Sequence, residues 1–113
     1  MFENKVFQAL SPLVGGRVFP DIAPLDAVRP YATYQQVGGL AINYLEAVPV
    51  GLRNARVQVN IWGTRRLEVS ALAKQAEDAI VIQSKATVEG AMVATYDAET
   101  ESYGTRQDFS IWF

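Results

Sequence analysis

Alternation of apolar and polar side chains marks residues 56–64, RVQVNIWGT, as a β-strand with one face on a core. Val57, Val59 and Ile61 point to one side of such a strand. The other side carries three polar residues and one tryptophan: Arg56, Gln58, Asn60 and Trp62. Water suits the polar three, but tryptophan usually seeks cover. This second face therefore has three possible roles: a catalytic site, a nucleic-acid platform, or a surface that another chain covers.

Helical periodicity appears in two places. Apolar residues spaced by four, four and three predict an N-terminal helix that stops or kinks at Pro12: Phe2, Val6, Leu10 and Leu13. A second helix is predicted from about residue 65 to residue 82, with Thr64 as its N-cap. Its buried side is expected to hold Leu67, Leu72, Ala76, Ala79 and Ile80, with Val69 and Ala73 beside them.

The rest of the chain predicts further strands and loops. Residues 17–19 and 30–37 are strand candidates, and the proline-rich segment 20–30 between them should run extended without regular structure. Segment 38–54 contains a short apolar piece, AINYL, that predicts either a strand or an arm.

The last third of the chain predicts a hairpin. Residues 86–96 and 105–113 are joined by an acidic turn at 97–104. In the final strand Phe109, Ile111 and Phe113 oppose Asp108, Ser110 and Trp112, which repeats the pattern of 56–64. The chain thus predicts an α+β fold with a single, mostly antiparallel sheet of about four or five strands. Two helices pack on one face of that sheet, and residues 1–113 form one domain.

The amino-acid composition limits the kinds of catalytic and binding site that the chain can form. The chain of 113 residues has no histidine and no cysteine, which excludes Ser–His and Cys–His catalysis and makes zinc or non-haem iron sites improbable. No cofactor is expected. A net charge of −2 gives no basic footprint for duplex nucleic acid. The apolar runs are far shorter than a membrane span, and no signal peptide is expected, so the predicted setting is the cytoplasm or an assembly made there.

Two sets of charged residues have possible functional roles. Asp97, Glu99 and Glu101 share the predicted turn, where they could hold a divalent cation weakly, form a solvated tip, or converge in an oligomer as a negative ring. Arg65 and Arg66 occupy a helix start, where cations are disfavoured. They either bend into solvent or pair with acids of a neighbouring chain. With Arg53 and Arg56 they could also touch phosphate, although the acidic net charge makes this a weak signal.

Trp62 and Trp112 each lie on the polar face of a predicted strand, near its end. They could stack on one another across neighbouring strands, or lie under the proline-rich loop, as ordinary packing. Alternatively they mark a protein–protein interface, where tryptophan and arginine are enriched. A platform for single-stranded nucleic acid ranks lower because basic residues are not interleaved with the aromatics.

The order of these features resembles the tail-completion family of tailed phages and prophages, which includes tail terminators and head-to-tail joining proteins. The resemblance is carried by the run G-R-V-F-P…A-P…R-P-Y-A-T-Y-Q at 16–35 and by R-V-Q-V at 56–59. It implies a small α+β subunit without catalytic residues. Such subunits assemble as a ring, typically hexameric, that caps the tail tube and ends its polymerisation. The ring joins tail to head, and DNA passes through its lumen without sequence-specific binding.

The implied partners are other copies of this chain, the tail-tube protein and the head–tail connector protein, with no membrane. The implied location is the virion tail, assembled in the host cytoplasm. Candidate subunit-interface residues are Arg56, Gln58, Trp62, Arg65, Arg66 and Trp112. Candidate lumen or tip residues are Asp97, Glu99 and Glu101. The alternative function is a small non-enzymatic binding module that recognises a peptide or ligand through its sheet face. An enzyme built on two carboxylates is a remote third hypothesis.

Overall fold

The computed structural model describes residues 1–41, 51 and 53–113. The predicted strand or arm around AINYL therefore lies almost entirely outside the described residues. The elements follow the order α1 (Phe2–Leu10), a 3₁₀ turn (Ser11–Leu13), β1 (Val18–Pro20), β2 (Tyr31–Gly38), β3 (Asn54–Gly63), α2 (Arg66–Ser84), β4 (Thr87–Val88), β5 (Val93–Asp97) and β6 (Ser102–Trp112). None of the described helices is long and apolar enough to cross a membrane.

The strands form one mixed sheet in the order β1-β2-β3-β6-β4, and β5 also pairs with β6. Every pairing is antiparallel except that of β1 with β2. This confirms an α+β fold with a mostly antiparallel sheet, but the sheet has six strands. The extra strand arises because segment 86–96 divides at Gly90, whose φ of 104° interrupts the predicted strand. β4 and β5 then pair with opposite halves of β6.

The proline-rich segment between β1 and β2 has no regular structure, as predicted. It crosses from one end of the sheet back to the other, which makes β1 parallel to β2. The peptide bond between Arg29 and Pro30 is cis. The acidic turn is shorter than expected: β5 ends at Asp97 and β6 begins at Ser102, so Tyr103 and Gly104 belong to the final strand.

Both helices pack on one face of the sheet. The N-terminal periodicity is confirmed, since Phe2, Val6 and Leu10 are buried and Leu13 packs against the core. The Phe2 ring lies 4.9 Å from the ring of Phe113, which joins the first helix to the end of the chain. From the sheet the core receives Ala32, Ala55, Val57, Val59, Ile61, Phe109 and Ile111.

The predicted start and buried side of the second helix need correction. Arg65, in an extended conformation and without a side-chain cap, occupies the N-cap position predicted for Thr64. Leu67 was predicted to be buried but is 84% exposed. The other predicted positions are confirmed, since Val69, Ala73, Ala76 and Ile80 are buried and Leu72 and Ala79 pack against the core; Ser84 is buried as well. Because residues advance by about 100° around a helix, Leu67 lies roughly 200° from Val69 and faces solvent.

Candidate assembly surface

The sheet face opposite the helices, called the open face here, is polar over three adjacent strands. The register places Thr33 beside Asn60 and Gln35 beside Gln58 across β2 and β3. Both cross-strand pairs extend onto β6, where Arg106 lies opposite Asn60 and Asp108 lies opposite Gln58. None of the described helices covers this face. The polar residues predicted from alternation along β3 therefore share one surface with their counterparts on β2 and β6.

Ionic and hydrogen-bonding contacts order the half of the open face that is nearer Trp112. Arg56 Nε donates to Asp108 Oδ2 at 2.8 Å, and this bond raises the pKa of Arg56. Nearby, Asn54 Nδ2 donates to Ser110 Oγ at 2.9 Å. Exposed ion pairs add little net stability, because water and side-chain entropy offset the attraction. The Arg56–Asp108 pair therefore orients side chains on the face more than it stabilises the fold.

The two tryptophans lie at opposite ends of the open face. Trp62 stands opposite Gly104, whereas Trp112 stands opposite Asn54 at the other end of β3. Eight residues at about 3.4 Å each separate these positions by roughly 27 Å. Stacking of the two rings on one another, one of the packing alternatives, is therefore wrong. Trp62 is half-buried beside the proline-rich segment, and Trp112 is 43% exposed.

Beside Trp62 the open face becomes the floor of a cleft of about 410 Å³. One wall is the start of the proline-rich segment, from Asp21 to Leu25, and the other is the β5–β6 turn, at Asp97 and Thr100. Tyr31 also lines this cleft, and burial raises the pKa of its phenol; Arg29 opposes that shift and Asp97 adds to it.

Arg29, which the sequence did not single out, joins the two walls. Its Nη1 donates to the carbonyl oxygens of Thr100 and Glu101, at 3.1 and 3.3 Å, and to Ser102 Oγ at 2.8 Å. These acceptors lie more than 70 residues away in the chain. No local sequence signal marks such a contact, because carbonyl acceptors are common to every residue type.

The first carboxylate of the acidic turn, that of Asp97, is hydrogen-bonded within the turn. Asp97 accepts hydrogen bonds from the Glu99 amide at 3.0 Å and from the Thr100 hydroxyl at 3.1 Å. Glu99 and Glu101 are exposed, and Glu101 has a left-handed φ of 54°. Within 1–41, 51 and 53–113, no group of three or more acidic side chains is arranged to hold a metal ion. A role for this turn in a lumen stays a prediction.

Arg65 and Arg66 have different surroundings, although they are adjacent in the chain. Arg66 donates to the carbonyl oxygens of Gly104 at 2.8 Å and Thr95 at 2.6 Å, and its guanidinium lies 5.3 Å from the centre of the Tyr103 ring. It thus fastens the start of α2 to the β5–β6 hairpin. Arg65 is exposed. Neither lies on the open face, and their assignment to a subunit interface stays a prediction.

We expect Arg66→Ala to lower the free energy of unfolding by about 1–3 kcal/mol, because two carbonyl oxygens lose a charged donor. Amides of β5 should exchange faster with solvent. Arg65→Ala is the matched control, since it removes the same charge from the same helix start. Denaturant unfolding and hydrogen exchange measure both effects. Equal stability of the two variants would show that the Arg66 contacts contribute nothing.

Comparison with known proteins assigns the chain to a family. A family model described as "Tail completion protein gp17" matches residues 5–113. The chain belongs to this tail completion family. The fold also resembles a chain from a solved structure described as "Virion of native gene transfer agent (GTA) particle". The TM-score is 0.51 at 15% sequence identity, and the match covers 97% of this chain and 92% of the other. A search of curated proteins found no match.

Family membership assigns the chain a structural role in a phage tail, in agreement with the resemblance found in the sequence. In this tail completion family member, the helices and one sheet face form the core, and none of the described helices packs on the other sheet face. A structural role requires contact surfaces rather than a reactive centre. The open face and its cleft are therefore the candidate site.

Proposed function

We propose that this protein forms a ring, hexameric by analogy with its relatives, that caps the tail tube, ends its polymerisation and joins tail to head. DNA passes through the lumen without sequence-specific binding. The supporting observation is the open face, a broad polar surface carrying Trp62 at one end and Trp112 at the other. Family membership supports the same role.

Exposed apolar side chains add support for an assembly contact. The proline-rich segment presents Ile22, Leu25 and Val28 with exposed fractions of 82%, 105% and 65%. Clustered exposed apolar side chains commonly mark interaction sites. A contact between two different surfaces of the same chain closes a ring when its rotation divides the circle. The proline-rich segment and the far end of the open face are two such different surfaces.

Charge also agrees with passage of DNA. The net charge is −2, and of the two arginines on the open face, Arg56 and Arg106, the first is paired with Asp108. Phosphate binding depends on unpaired basic groups, so a mildly acidic ring would not retain moving DNA. We propose that the exposed Glu99 and Glu101 face the lumen or the tip of the ring.

The oligomeric state of the purified protein tests ring formation. Light scattering after size-exclusion chromatography is measured for the protein alone and after addition of purified tail tubes. We expect a discrete multiple of the 12.4 kDa chain, alone or bound to tube ends. A protein that stays monomeric in both samples and does not bind tube ends would contradict the ring.

The cleft favours a second candidate, a non-enzymatic binding module that recognises a peptide or ligand through its sheet face. A volume of about 410 Å³ lies within the range of small-ligand sites. Such a module would bind its ligand as a monomer. Two results together would favour this candidate over the ring. The purified protein would be a monomer with a ligand bound in the cleft, and particles made without the protein would have normal tails.

A further inference from the structure

The cleft beside Trp62 has walls that are fixed before anything binds. Arg29 ties the proline-rich segment to the β5–β6 turn through three hydrogen bonds. The Asp21 amide donates to the Tyr34 carbonyl at 2.8 Å, which anchors the start of the segment to β2. A preformed site costs less conformational entropy on binding than one that must order itself. The cleft is therefore equipped to receive a ligand without rearrangement.

Polar side chains line the floor of the cleft. Thr33 lines the cleft and is 6% exposed. Asn60 and Gln58 share one long contact of 3.5 Å. Hydroxyl and amide side chains on the floor of a cleft are suited to a polar ligand. Amide side chains both donate and accept, as a peptide backbone requires.

The charges that line the cleft are negative. Asp21 and Asp97 carry carboxylates, and no lysine or arginine is among the lining residues. Two cations flank the cleft without lining it: Arg29 is bonded to the turn at Thr100 to Ser102, and Arg106 lies on β6 opposite Asn60. Beside Asp21 and Asp97 a phosphate or carboxylate ligand would meet unfavourable charge. A cation would be attracted.

Apolar groups complete the lining. Trp62 contributes an aromatic ring, and Ile22, Pro24 and Leu25 contribute aliphatic surface at the mouth. A guanidinium binds well to an aromatic face beside a carboxylate, because the ring quadrupole and the negative charge both attract it. The aliphatic mouth suits the apolar neighbours of such a side chain.

We propose that this cleft binds an extended, arginine-bearing segment of a partner protein. The amides and Thr33 bond its backbone, and the proline-rich segment packs on its apolar side chains. Trp62 and the Asp21 carboxylate hold the guanidinium, while Asp97, which is hydrogen-bonded within its own turn, adds negative charge. This inference deepens the proposed assembly role and relies on it for the partner being a virion protein. Binding itself needs only the folded monomer.

The test uses two blocked five-residue peptides that differ only in a central arginine or its neutral analogue citrulline. The full chain carries Trp112→Phe, which leaves Trp62 as the single tryptophan and therefore as the fluorescent reporter. We expect a saturable change in Trp62 fluorescence with the arginine peptide. The citrulline peptide should bind about five- to tenfold more weakly, because it loses the ionic and cation–π attraction.

Asp21→Asn should weaken binding of the arginine peptide by about two- to fivefold, as expected for a partly exposed ion pair. Asp26→Asn is the matched control, since it makes the same charge change in the same segment but does not line the cleft. Absence of saturable binding, equal affinity for both peptides, or equal effects of the two variants would overturn the proposal.

Other ligands of the cleft would give different results in these binding experiments. A change in Trp62 fluorescence with a DNA oligonucleotide and none with the arginine peptide would overturn the proposal in favour of nucleic acid. Loss of self-association in Asp21→Asn, without peptide binding, would assign the cleft to a second copy of this chain. Peptide binding by a protein that forms no ring would support the cleft proposal and contradict the proposed function.

Discussion

Gly104→Ala is expected to lower the free energy of unfolding by about 1–3 kcal/mol, although alanine is normally tolerated in a strand. The added Cβ would lie 2.6 Å from Cε3 and Cζ3 of Trp62 and 2.6 Å from Thr95 Oγ1. Gly104 does not use the left-handed backbone conformation that favours glycine, so steric overlap is the obstacle. Thermal unfolding should show a fall in Tm of roughly 4–12 °C.

A double-mutant cycle with Trp62→Ala isolates the cause. Once the indole is removed, most of the overlap disappears, and Gly104→Ala should cost at least about 1 kcal/mol less than in the unmodified chain. Some cost remains because Thr95 is still present. An equal cost in both backgrounds would mean that the Trp62 ring does not pack on Gly104. The cleft floor described above would then be wrong as well.

Trp112→Ala is expected to leave the monomer folded and to weaken ring assembly by about 30-fold or more. A tryptophan at the centre of an interface commonly contributes 2 kcal/mol or more, which corresponds to that factor. The monomer loses little because the side chain is already 43% exposed. Circular dichroism measures folding, and light scattering in the presence of tail tubes measures assembly.

Leu67→Ala is the matched control for Trp112→Ala. Leu67 is an exposed apolar residue of α2, which packs on the opposite face of the sheet. It should affect neither folding nor assembly. Unfolding of Trp112→Ala would place this tryptophan in the core. Equal assembly defects in both variants would show that the loss is a general effect of removing exposed apolar surface.

Alternation and periodicity sufficed to predict the sheet face and the helices that cover it. Val57, Val59 and Ile61 are buried under the helices, and the polar residues of 56–62 share the other face, because side chains alternate strictly along a strand. The helix start was misplaced because Thr64 has the composition of an N-cap, whereas the chain remains extended through Arg65. Tertiary packing outweighs such weak local preferences.

The candidate site was predicted only in part. The sequence placed Arg56, Gln58 and Trp62 on one face, but the cleft depends on contacts between distant segments. Arg29 and the β5–β6 turn meet across more than 70 residues, and Gly104 is significant only because Trp62 lies over it. A single sequence contains no local pattern for such pairs. That residues 1–113 form one domain also stays a prediction.

Electron micrographs of particles made without this protein test the central claim most directly. A ring that caps the tail tube and joins it to the head predicts tails of uncontrolled length, or tails unattached to heads. Restoring the unmodified chain should recover normal particles, and Trp112→Ala should not. Normal virions in the absence of the protein would contradict the account.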